Sequence, residues 1–525
     1  MGISGNWDGR ISRRTLLRTG GSFAIGAMVG STRAARALAA PPFAADPFSL
    51  GIASGDPTPD GIVLWTRLAP DPTRGDGGVM PEAYGVRYEL ARDEAFTRIL
   101  RRGAVEAIPE EAHSIHVELS GLDPSTEYFY RFKWGTAVSP VGRTRTAPPQ
   151  GAGVDQLRFA FVSCQNFPAG YFNAYADIAQ QDLDLVVHLG DYIYEGPANG
   201  VRNHAPAATI MSLSDYRIRH AQYKTDLDLQ AAHAALPWYV TWDDHEVSNN
   251  YATFDSDPDS PLDVFTARRA AAYQAYWEHM PLSRARKPQG PYLDLYRRFA
   301  WGGLATFNML DGRQFRSDQP KGSSPKDPSG YSVSALDPGR TMLGDAQLQW
   351  LEAELRTTRA AWNVLANQVA FAPYDRDPSL ASRDFGGGDN WDGYVADRQR
   401  IIDTIIDGKT RNPIVITGDS HANWVRDIPP SFTDFDATPV GTEFMGTSVS
   451  TGGDPANPFV TYGGDPNNPQ LLFHNNNRGW VRCTVTPAQW TSDYRIVSTV
   501  VRRGAAASTL ASFAVQDGVP GAQRA

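Results

Sequence analysis

The stretch Leu183-Asp-Leu-Val-Val-His-Leu-Gly190, followed directly by Asp191-Tyr-Ile-Tyr-Glu-Gly196, decides the fold class that we expect for this chain. Its first half is a short apolar run rich in Leu and Val, which is typical of a buried β-strand. Its second half places a carboxylate and phenol side chains where that strand ends. Open α/β sheets carry their functional groups at the carboxyl ends of their strands. The stretch therefore predicts a strand of an α/β sheet that ends in a functional site.

Three further stretches repeat this arrangement of a buried strand and a polar end. Residues 157–163 predict a strand that ends at Cys164, residues 238–242 precede Asp243-Asp-His-Glu246, and residues 413–417 precede Gly418-Asp-Ser-His421. Apolar patterns also predict strands at 304–310 and 362–365, and helices at 172–181, 214–235, 263–280, 345–356 and 395–406. The expected fold class is α/β, with layered sheets that form a β-sandwich flanked by helices.

The region before residue 150 has a different pattern, with short alternating apolar stretches separated by Pro, Gly and Asp turns. This pattern predicts a small all-β domain at residues 45–148. Within it, Gly121-Leu-Asp-Pro-Ser-Thr-Glu-Tyr-Phe-Tyr-Arg131 resembles the corner that precedes a strand in fibronectin type III domains. A Pro/Gly-rich linker then leads to a catalytic domain at residues 155–500, and residues 501–525 are expected to form a C-terminal tail.

The first 39 residues are predicted to be an export signal rather than part of the fold. A basic segment, Arg10–Arg18, precedes the apolar run Ser22–Gly30, which is too short to span a bilayer permanently. Ser12-Arg-Arg-Thr-Leu-Leu17 resembles the twin-arginine motif, and Ala37-Leu-Ala39 offers a small-x-small cleavage site. The sequence thus predicts a protein exported to the periplasm, the cell wall or the medium, with the twin-arginine export machinery as a partner.

The charge balance argues against nucleic acid as an obligatory partner. The chain has 49 Lys and Arg against 58 Asp and Glu, which gives a formal net charge of −9. Because residues 1–39 hold six Arg and one Asp, cleavage of the signal would change this charge to −14. Nucleic acids are bound through clustered Lys and Arg, and an anionic substrate here would need local positive charge from metal ions. No later segment has 18 consecutive apolar residues, so no permanent membrane span is expected.

Taken one at a time, the polar strand ends have ordinary structural explanations. A cysteine such as Cys164 at a strand end is usually a core residue, and Gly-Asp is usually a turn or a helix cap. Taken together, their carboxylate, imidazole, phenol and thiol groups form a set of metal ligands in which oxygen dominates. Asp191 and Tyr194 could face one ion from a single turn, while Asp419 and His421, two residues apart, project to the same side of an extended segment. The residues alone leave both explanations open.

The motifs of the chain resemble those of the alkaline phosphatase D family and run in the same order from about Phe48 to Val497. They comprise Ser54-Gly-Asp-Pro-Thr58, Leu64-Trp-Thr-Arg67, Ser163-Cys-Gln165, His188-Leu-Gly-Asp-Tyr-Ile-Tyr-Glu195, Trp242-Asp-Asp-His-Glu-Val247, Gly418-Asp-Ser-His-Ala-Asn-Trp424, Glu443-Phe-Met-Gly-Thr-Ser448 and Asn477-Arg-Gly-Trp480. The resemblance implies a metallophosphoesterase-like catalytic domain preceded by a β domain, and it implies hydrolysis of phosphate esters.

The wider metallophosphoesterases, including the purple acid phosphatases, are similar and imply a role for each ligand position. On this comparison Asp191 bridges two ions. The first ion would be held by Cys164, Asp191, Tyr194 and His421, and the second by Asp191, Asp244, Asn367 and Asp419. Cys164 stands where those enzymes have Asp, Asp244 stands where they have Asn, and Asn367 and Asp419 stand where they have His.

These departures bear on which metals the family resemblance implies. Thiolate and phenolate ligands favour a trivalent iron at the first position. The second position has lost its imidazoles and is all oxygen, which suits calcium better than zinc or manganese. The resemblance likewise implies Fe3+ and Ca2+ as cofactors. The sequence leaves open whether a further calcium binds and whether Asp243 rather than Asp244 is the ligand.

Catalytic roles are implied in the same way. Two ions would neutralise and orient a phosphate ester and would activate a water molecule as the nucleophile. His245 would contact the phosphoryl group or protonate the leaving oxygen, with Glu246 orienting the imidazole, unless His245 is only a structural residue. Arg313 and Asn250 are further candidates for phosphate contacts, although each also has a structural explanation.

The leading hypothesis is therefore an exported alkaline phosphatase or phosphodiesterase that acts on small phosphate monoesters and diesters. A close alternative is a phospholipase D-type diesterase that acts on phospholipid. A catalytically inactive secreted binding module is a third hypothesis, and the complete set of ligand positions argues against it.

Overall fold

The computed structural model describes residues 45–255, 260–320, 324–386 and 388–525. The predicted export signal, residues 1–39, lies outside the described residues. Within the described part of the chain, no helix has the length and apolar character needed to cross a membrane.

The region before residue 150 is built of strands, as its alternating pattern predicts. They are β1 (Ile52–Gly55), β2 (Ile62–Arg67), β3 (Tyr84–Ala91), β4 (Ile99–Ala107), β5 (Ser114–Leu119), β6 (Glu127–Trp134), β7 (Ala137–Val138) and β8 (Gly142–Arg145). A five-stranded sheet has the order β4-β3-β6-β7, with β8 paired to β6. Its apolar face packs with side chains of β2 and β5 around one core cluster that includes Leu64, Val117 and Tyr130.

The rest of the chain alternates strands and helices. Its strands are β9 (Leu157–Val162), β10 (Leu185–His188), β11 (Pro237–Val240), β12 (Arg297–Trp301), β13 (Ala305–Met309), β14 (Trp362–Ala366), β15 (Pro413–Thr417), β16 (Asn423–Ile428), β17 (Gly441–Met445), β18 (Val460–Thr461), β19 (Leu471–Asn475), β20 (Gly479–Val485), β21 (Gln489–Val497), β22 (Ala507–Gln516) and β23 (Val519–Arg524). Its helices are α1 (Asn173–Ile178), α2 (Leu213–Lys224), α3 (Leu227–Ala235), α4 (Leu262–His279), α5 (Gly344–Thr357) and α6 (Val395–Gly408).

Two large mixed sheets form the centre of the fold. A ten-stranded sheet has the order β23-β22-β21-β20-β9-β10-β11-β1-β2-β5, and an eight-stranded sheet has the order β12-β13-β14-β15-β17-β16-β19-β18. Side chains alternate along β9: Phe159 and Phe161 pack with residues of the second sheet, whereas Ala160 and Val162 pack with residues of α1 to α4. The expected α/β class with layered sheets and flanking helices is confirmed.

The structure differs from the sequence expectations in three places. β1 pairs in parallel with β11, so the first strands of the N-terminal region extend the large sheet instead of forming a separate sandwich. Residues 507–524, expected as a tail, form β22 and β23 at the edge of that sheet, because their alternating apolar side chains join its core. The helix expected at residues 214–235 is interrupted, because Asp226 accepts hydrogen bonds from the amides of Asp228 and Leu229 and begins a new helix.

The parallel strands of the two sheets have their carboxyl ends at the same side of the molecule. β9, β10 and β11 are parallel, as are β13, β14, β15 and β17. Ser163, just after β9, forms an isolated parallel bridge with Ser448, just after β17, and so joins the two sets of strand ends. The polar residues singled out in the sequence therefore converge from both sheets.

Candidate metal centre

Left-handed backbone marks the turns that carry the predicted ligands. The φ angle is +61° at Cys164, +56° at Asp191, +61° at Asp419 and +54° at His421. Residues with a Cβ atom adopt this region at an energetic cost, and such residues concentrate at functional sites where the surrounding fold holds them. Here each of these residues lies two to four positions after the end of β9, β10 or β15.

Two glycines let these turns approach one another. A Cβ atom at Gly190 would lie 2.4 Å from the Cβ atom of Asp243, and the φ of Gly190 is +112°. A Cβ atom at Gly418 would lie 2.2 Å from the Oγ atom of Ser163, the neighbour of Cys164. Both distances are shorter than any real contact. Glycine at these positions therefore allows the turn of Asp191 to approach Asp243 and the turn of Asp419 to approach Ser163.

The first group of donors joins Cys164, Asp191 and His421, whose potential ligand atoms lie within 4.8 Å of one another. Tyr194 belongs to the same group, because its hydroxyl donates to Asp191 Oδ2 at 2.7 Å and lies 3.3 Å from His421 Nε2. Thr451 closes this side by donating to the Tyr194 oxygen or to the Cys164 carbonyl oxygen, at 2.8 and 2.6 Å. The four ligands predicted for the first ion are thus brought together.

The electrostatics of this side favour a cation. Burial, together with the charge of Asp191, raises the pKa of the Cys164 thiol well above its ordinary value. Burial also raises the pKa of Asp191, and the neighbouring acids Asp244 and Asp243 raise it further. Burial lowers the pKa of His421 to about 4, which leaves its imidazole neutral and able to bind a metal. A cation among these groups would reverse the penalty on the thiolate and the carboxylate.

The second group of donors consists of carboxylates. Asp243, Asp244 and Asp419 place ligand atoms within 4.8 Å of one another, and a further group of Asp191, Asp244 and His245 connects them to the first side. Asp244 belongs to both of these groups, whereas Asp243 is paired with Arg313. Asp244 is therefore better placed than Asp243 to be a ligand that belongs to both donor groups. Asp243 is placed to pair with the positive charge of Arg313.

Unpaired oxygens show that the donor set fits metal ions. Asp191 Oδ1 and Asn367 Oδ1 are buried and accept no hydrogen bond from any residue that the structure describes. Asn367 follows β14, and its amide nitrogen donates to the carbonyl of Val369, which leaves the side-chain oxygen unpaired. Buried oxygens without partners are costly, and a bound cation would satisfy them. The thiol, phenol and imidazole on one side and the oxygens on the other match two different ions.

Arg313 lies among the carboxylates of the second donor group. It is fully buried, its Nε atom donates to Asp243, and its Nη1 and Nη2 atoms donate to Asp389 at 2.7 and 2.9 Å. Its Nη2 atom also lies 3.8 Å from Asp244 and 3.9 Å from Asp419. Arg313 therefore holds the carboxylates together through three of its five N–H groups, and a phosphate contact by the other two stays a prediction.

Glu246 also differs from its expected role. Its carboxylate accepts hydrogen bonds from the backbone amides of Asp191, Tyr192 and Asp243 at 3.0, 2.7 and 3.0 Å. It therefore fixes two ligand turns, and the expectation that it orients His245 is corrected. Burial raises the pKa of Glu246 to about 8.

Glu195 orients His245 instead. Its Oε2 atom lies 2.7 Å from His245 Nδ1, and its Oε1 atom accepts from the amide of Asn249 at 2.6 Å. Because a carboxylate is an acceptor, Nδ1 carries the hydrogen, and Nε2 is the nitrogen left for other partners. The residue stands in the motif 188–195, but its role was missed because the loop that follows β10 brings it to His245 across 50 residues.

Asn250 is positioned by its backbone. Its φ angle is +52°, and its amide donates to Asp244 Oδ2 at 2.6 Å. This contact orients Asp244, and a phosphate contact by the Asn250 side chain stays a prediction.

Comparisons with family models, with a curated protein and with a solved structure agree with one another. The family described as "PhoD-like phosphatase" matches residues 159–494, and "PhoD-like phosphatase, N-terminal domain" matches residues 33–148. Alkaline phosphatase D of Bacillus subtilis (strain 168) is 49% identical over 486 residues, which are 91% of this chain and 82% of that protein. A solved structure of PhoD has a TM-score of 0.86 at 48% identity and covers 92% of this chain and 93% of that chain.

Proposed function

The chain belongs to the PhoD-like phosphatase family and shares its phosphoesterase function, and we propose that it hydrolyses phosphate monoesters and diesters outside the cytoplasm with iron and calcium as cofactors. The single observation that carries the metal assignment is the asymmetry of the donor set. One side offers Cys164, Tyr194 and His421, and the other offers carboxylates and an amide, with Asp191 between them.

The residues proposed to hold Fe3+ are Cys164, Asp191, Tyr194 and His421, and those proposed to hold Ca2+ are Asp191, Asp244, Asn367 and Asp419. Anionic sulfur and phenol oxygen suit a trivalent iron, and an all-oxygen set suits calcium. When bound, such ions supply positive charge for the phosphoryl oxygens and lower the pKa of water. The unpaired oxygens of Asp191 and Asn367 support this proposal.

His245 is the proposed proton donor to the leaving oxygen, or a hydrogen-bond donor to the phosphoryl group. It lies within 4.8 Å of Asp191 and Asp244, and its ring packs against Tyr194 with centroids 4.2 Å apart. Burial alone would lower the pKa of His245, but the charges of Asp244, Asp191 and Glu195 raise it well above 6.5. Glu195 thereby keeps the imidazole oriented and able to carry a proton.

Export by the twin-arginine route is part of the proposal. The basic segment, the short apolar run and the small-residue cleavage site support it, because that route carries folded proteins and a metal centre of this kind forms in a folded chain. We expect the chain with both Arg13 and Arg14 replaced by Lys to remain in the cytoplasm, as measured by cell fractionation.

Metal analysis and a substrate panel test the catalytic proposal. Protein purified with iron available should contain about one equivalent of iron, show a visible charge-transfer band and hydrolyse p-nitrophenyl phosphate or bis-p-nitrophenyl phosphate. Hydrolysis of phosphatidylcholine in preference to both would favour the phospholipase alternative. Iron well below one equivalent in folded protein, without a visible band, would contradict the iron assignment. Inactivity on all three substrates would contradict the hydrolase proposal.

A further inference from the structure

Arg478 is a buried cation on the Cys164 side of the centre. It lies between β19 and β20, and 8% of its surface is exposed. Its Nη1 atom donates to the carbonyl of His421, and its Nε atom donates to the carbonyl of Gly453 at 2.7 Å. The side chain is thus held by the backbone of a proposed ligand and by the loop that follows β17.

The loop that follows β17 has room for the guanidinium group of Arg478. Thr451 contacts both the Tyr194 hydroxyl and the Cys164 carbonyl, so the loop lies against the first donor group. At the next residue, Gly452, a Cβ atom would lie 2.8 Å from Arg478 Nη2, and the φ angle is +83°. Glycine at this position leaves room for the Nη2 end of the side chain.

Arg478 differs from the other arginines of the centre in its charge balance. Arg313 and Arg316 both donate to Asp389, whereas no described carboxylate lies within salt-bridge distance of Arg478. The nearby acid Asp454 accepts from the amide of Val500 and from the hydroxyl of Thr499. Among the described residues, Nη2 of Arg478 has no hydrogen-bond acceptor. Burial lowers the pKa of Arg478, and among the described residues no carboxylate pairs with its positive charge.

We propose that Arg478 binds an anionic oxygen of the substrate phosphoryl group on the Cys164 side of the centre. This inference rests on the proposed function, because it assigns a binding residue for the same reaction. Phosphate oxygens accept strong charge-assisted hydrogen bonds from arginine, and the other arginines of the centre already donate to carboxylates. Arg478 would thus supply a charged donor on the Cys164 side of the site, in addition to the donor that His245 supplies.

The test compares Arg478→Gln and Arg478→Lys with the control Arg495→Gln, which removes a guanidinium that pairs with Asp177 away from the centre. For each protein, bound iron and calcium, the KM and kcat for p-nitrophenyl phosphate, and the inhibition constant of inorganic phosphate are measured. Losing a charge-assisted hydrogen bond should raise the KM and the phosphate inhibition constant of Arg478→Gln roughly tenfold to a hundredfold. Metal content should stay unchanged. Arg478→Lys should recover part of the loss, and Arg495→Gln should match the wild type.

Phosphate affinity within about twofold of the wild type in both Arg478 variants would overturn the proposal, as would loss of metal in parallel with activity. If the glutamine variant does not fold, the lysine variant decides, because unchanged phosphate affinity without the planar guanidinium would contradict a specific contact. The shift in Tm caused by inorganic phosphate is recorded for every protein. A wild type that binds phosphate through Arg478 but hydrolyses nothing would contradict the hydrolase proposal alone.

Discussion

The two sides of the metal centre are built from the same kind of strand end but from different chemistry. On the Cys164 side, the thiol, the Tyr194 phenol and the His421 imidazole meet one carboxylate, and the phenol is hydrogen-bonded to that carboxylate and to the imidazole. On the Asp419 side, carboxylates gather around the buried guanidinium of Arg313. The topology therefore determines where the ligands lie, and the residue types determine which ion each side suits.

The difference also concerns charge. The Cys164 side holds groups that burial keeps protonated when no ion is bound, since burial raises the pKa values of both Cys164 and Tyr194. The Asp419 side has Arg313 as a permanent partner, and Asp244 has a pKa below its ordinary value because Arg313 and His245 outweigh the effect of burial. The groups of the Cys164 side thus need a bound metal in order to ionise. On the Asp419 side, the positive charge of Arg313 already neutralises part of the carboxylate charge.

Substitution of Cys164 by Ala should give the largest effect and would break the Cys164 side alone. Changes to residues that only support a ligand typically cost 10- to 100-fold, so loss of an anionic ligand should lower kcat/KM by more than about 100-fold and remove the iron. Metal analysis and the visible charge-transfer band measure the iron. Cys483→Ser is the matched control, because Cys483 lies between the sheets and contacts Ser492, and it should stay active. Wild-type turnover by Cys164→Ala would refute the thiolate assignment.

Asp419→Asn should break the other side and leave the first intact. Because one anionic oxygen is lost from an all-oxygen set, we expect kcat/KM to fall about 100-fold. The calcium concentration that gives half of the maximal activity should rise, while the visible band of the iron is retained. Titration of activity with calcium and the visible spectrum measure the two effects separately. Loss of iron equal to that in Cys164→Ala would show that the two sides are not independent.

Glu195→Gln should have an intermediate effect, because it changes only the orientation and charge of His245. We expect kcat to fall roughly 10- to 100-fold with both metals retained. The carboxylate of Glu195 helps to raise the pKa of His245, so its removal should lower that pKa and move the alkaline limb of the pH–kcat profile to lower pH. Glu195→Asp, which keeps the charge, should recover part of the activity. An unchanged profile in Glu195→Gln would contradict the orienting role.

The smallest effect concerns stability, which removal of the metals should lower in a pH-dependent way. The folded-state pKa of Asp243 is raised to about 6 by burial, and burial raises that of Asp419 as well. Carboxyl groups with raised folded-state pKa values destabilise the fold as pH rises from their unfolded pKa, near 4, through the folded one. The Tm difference between metal-loaded and chelator-treated protein should therefore be several degrees and grow between about pH 4 and pH 6. A constant difference would contradict the carboxylate account.

The sequence predicted the strand ends well because each buried strand is short, apolar and followed at once by a polar residue. Cys164, Asp191, Asp244 and His421 could be placed in this way, and the structure brings them together. The pairing of β1 with β11 could not be predicted, because the apolar pattern of a strand does not identify its neighbour.

The partners of the charged residues were the least predictable part of the site. Arg313 and Glu246 stand in polar motifs, but their contacts depend on loops that fold back from distant residues such as Asp389. Glu195 is the opposite case, since it stands beside Tyr194 in the sequence and reaches His245 only through the loop conformation. Residue type predicts a possible role, whereas the partner is decided by packing.

The central pairing of the ten-stranded sheet has a consequence for how the chain folds. Leu157 on β9 lies opposite Val485 on β20, and β21 to β23 add to the sheet beyond it. Contacts between residues so distant in sequence form slowly, because a long loop must close before the contacts stabilise it. This sheet cannot be completed until the residues of β23 have left the ribosome. The edge of the sheet that β21 to β23 form is therefore expected to be added last during folding.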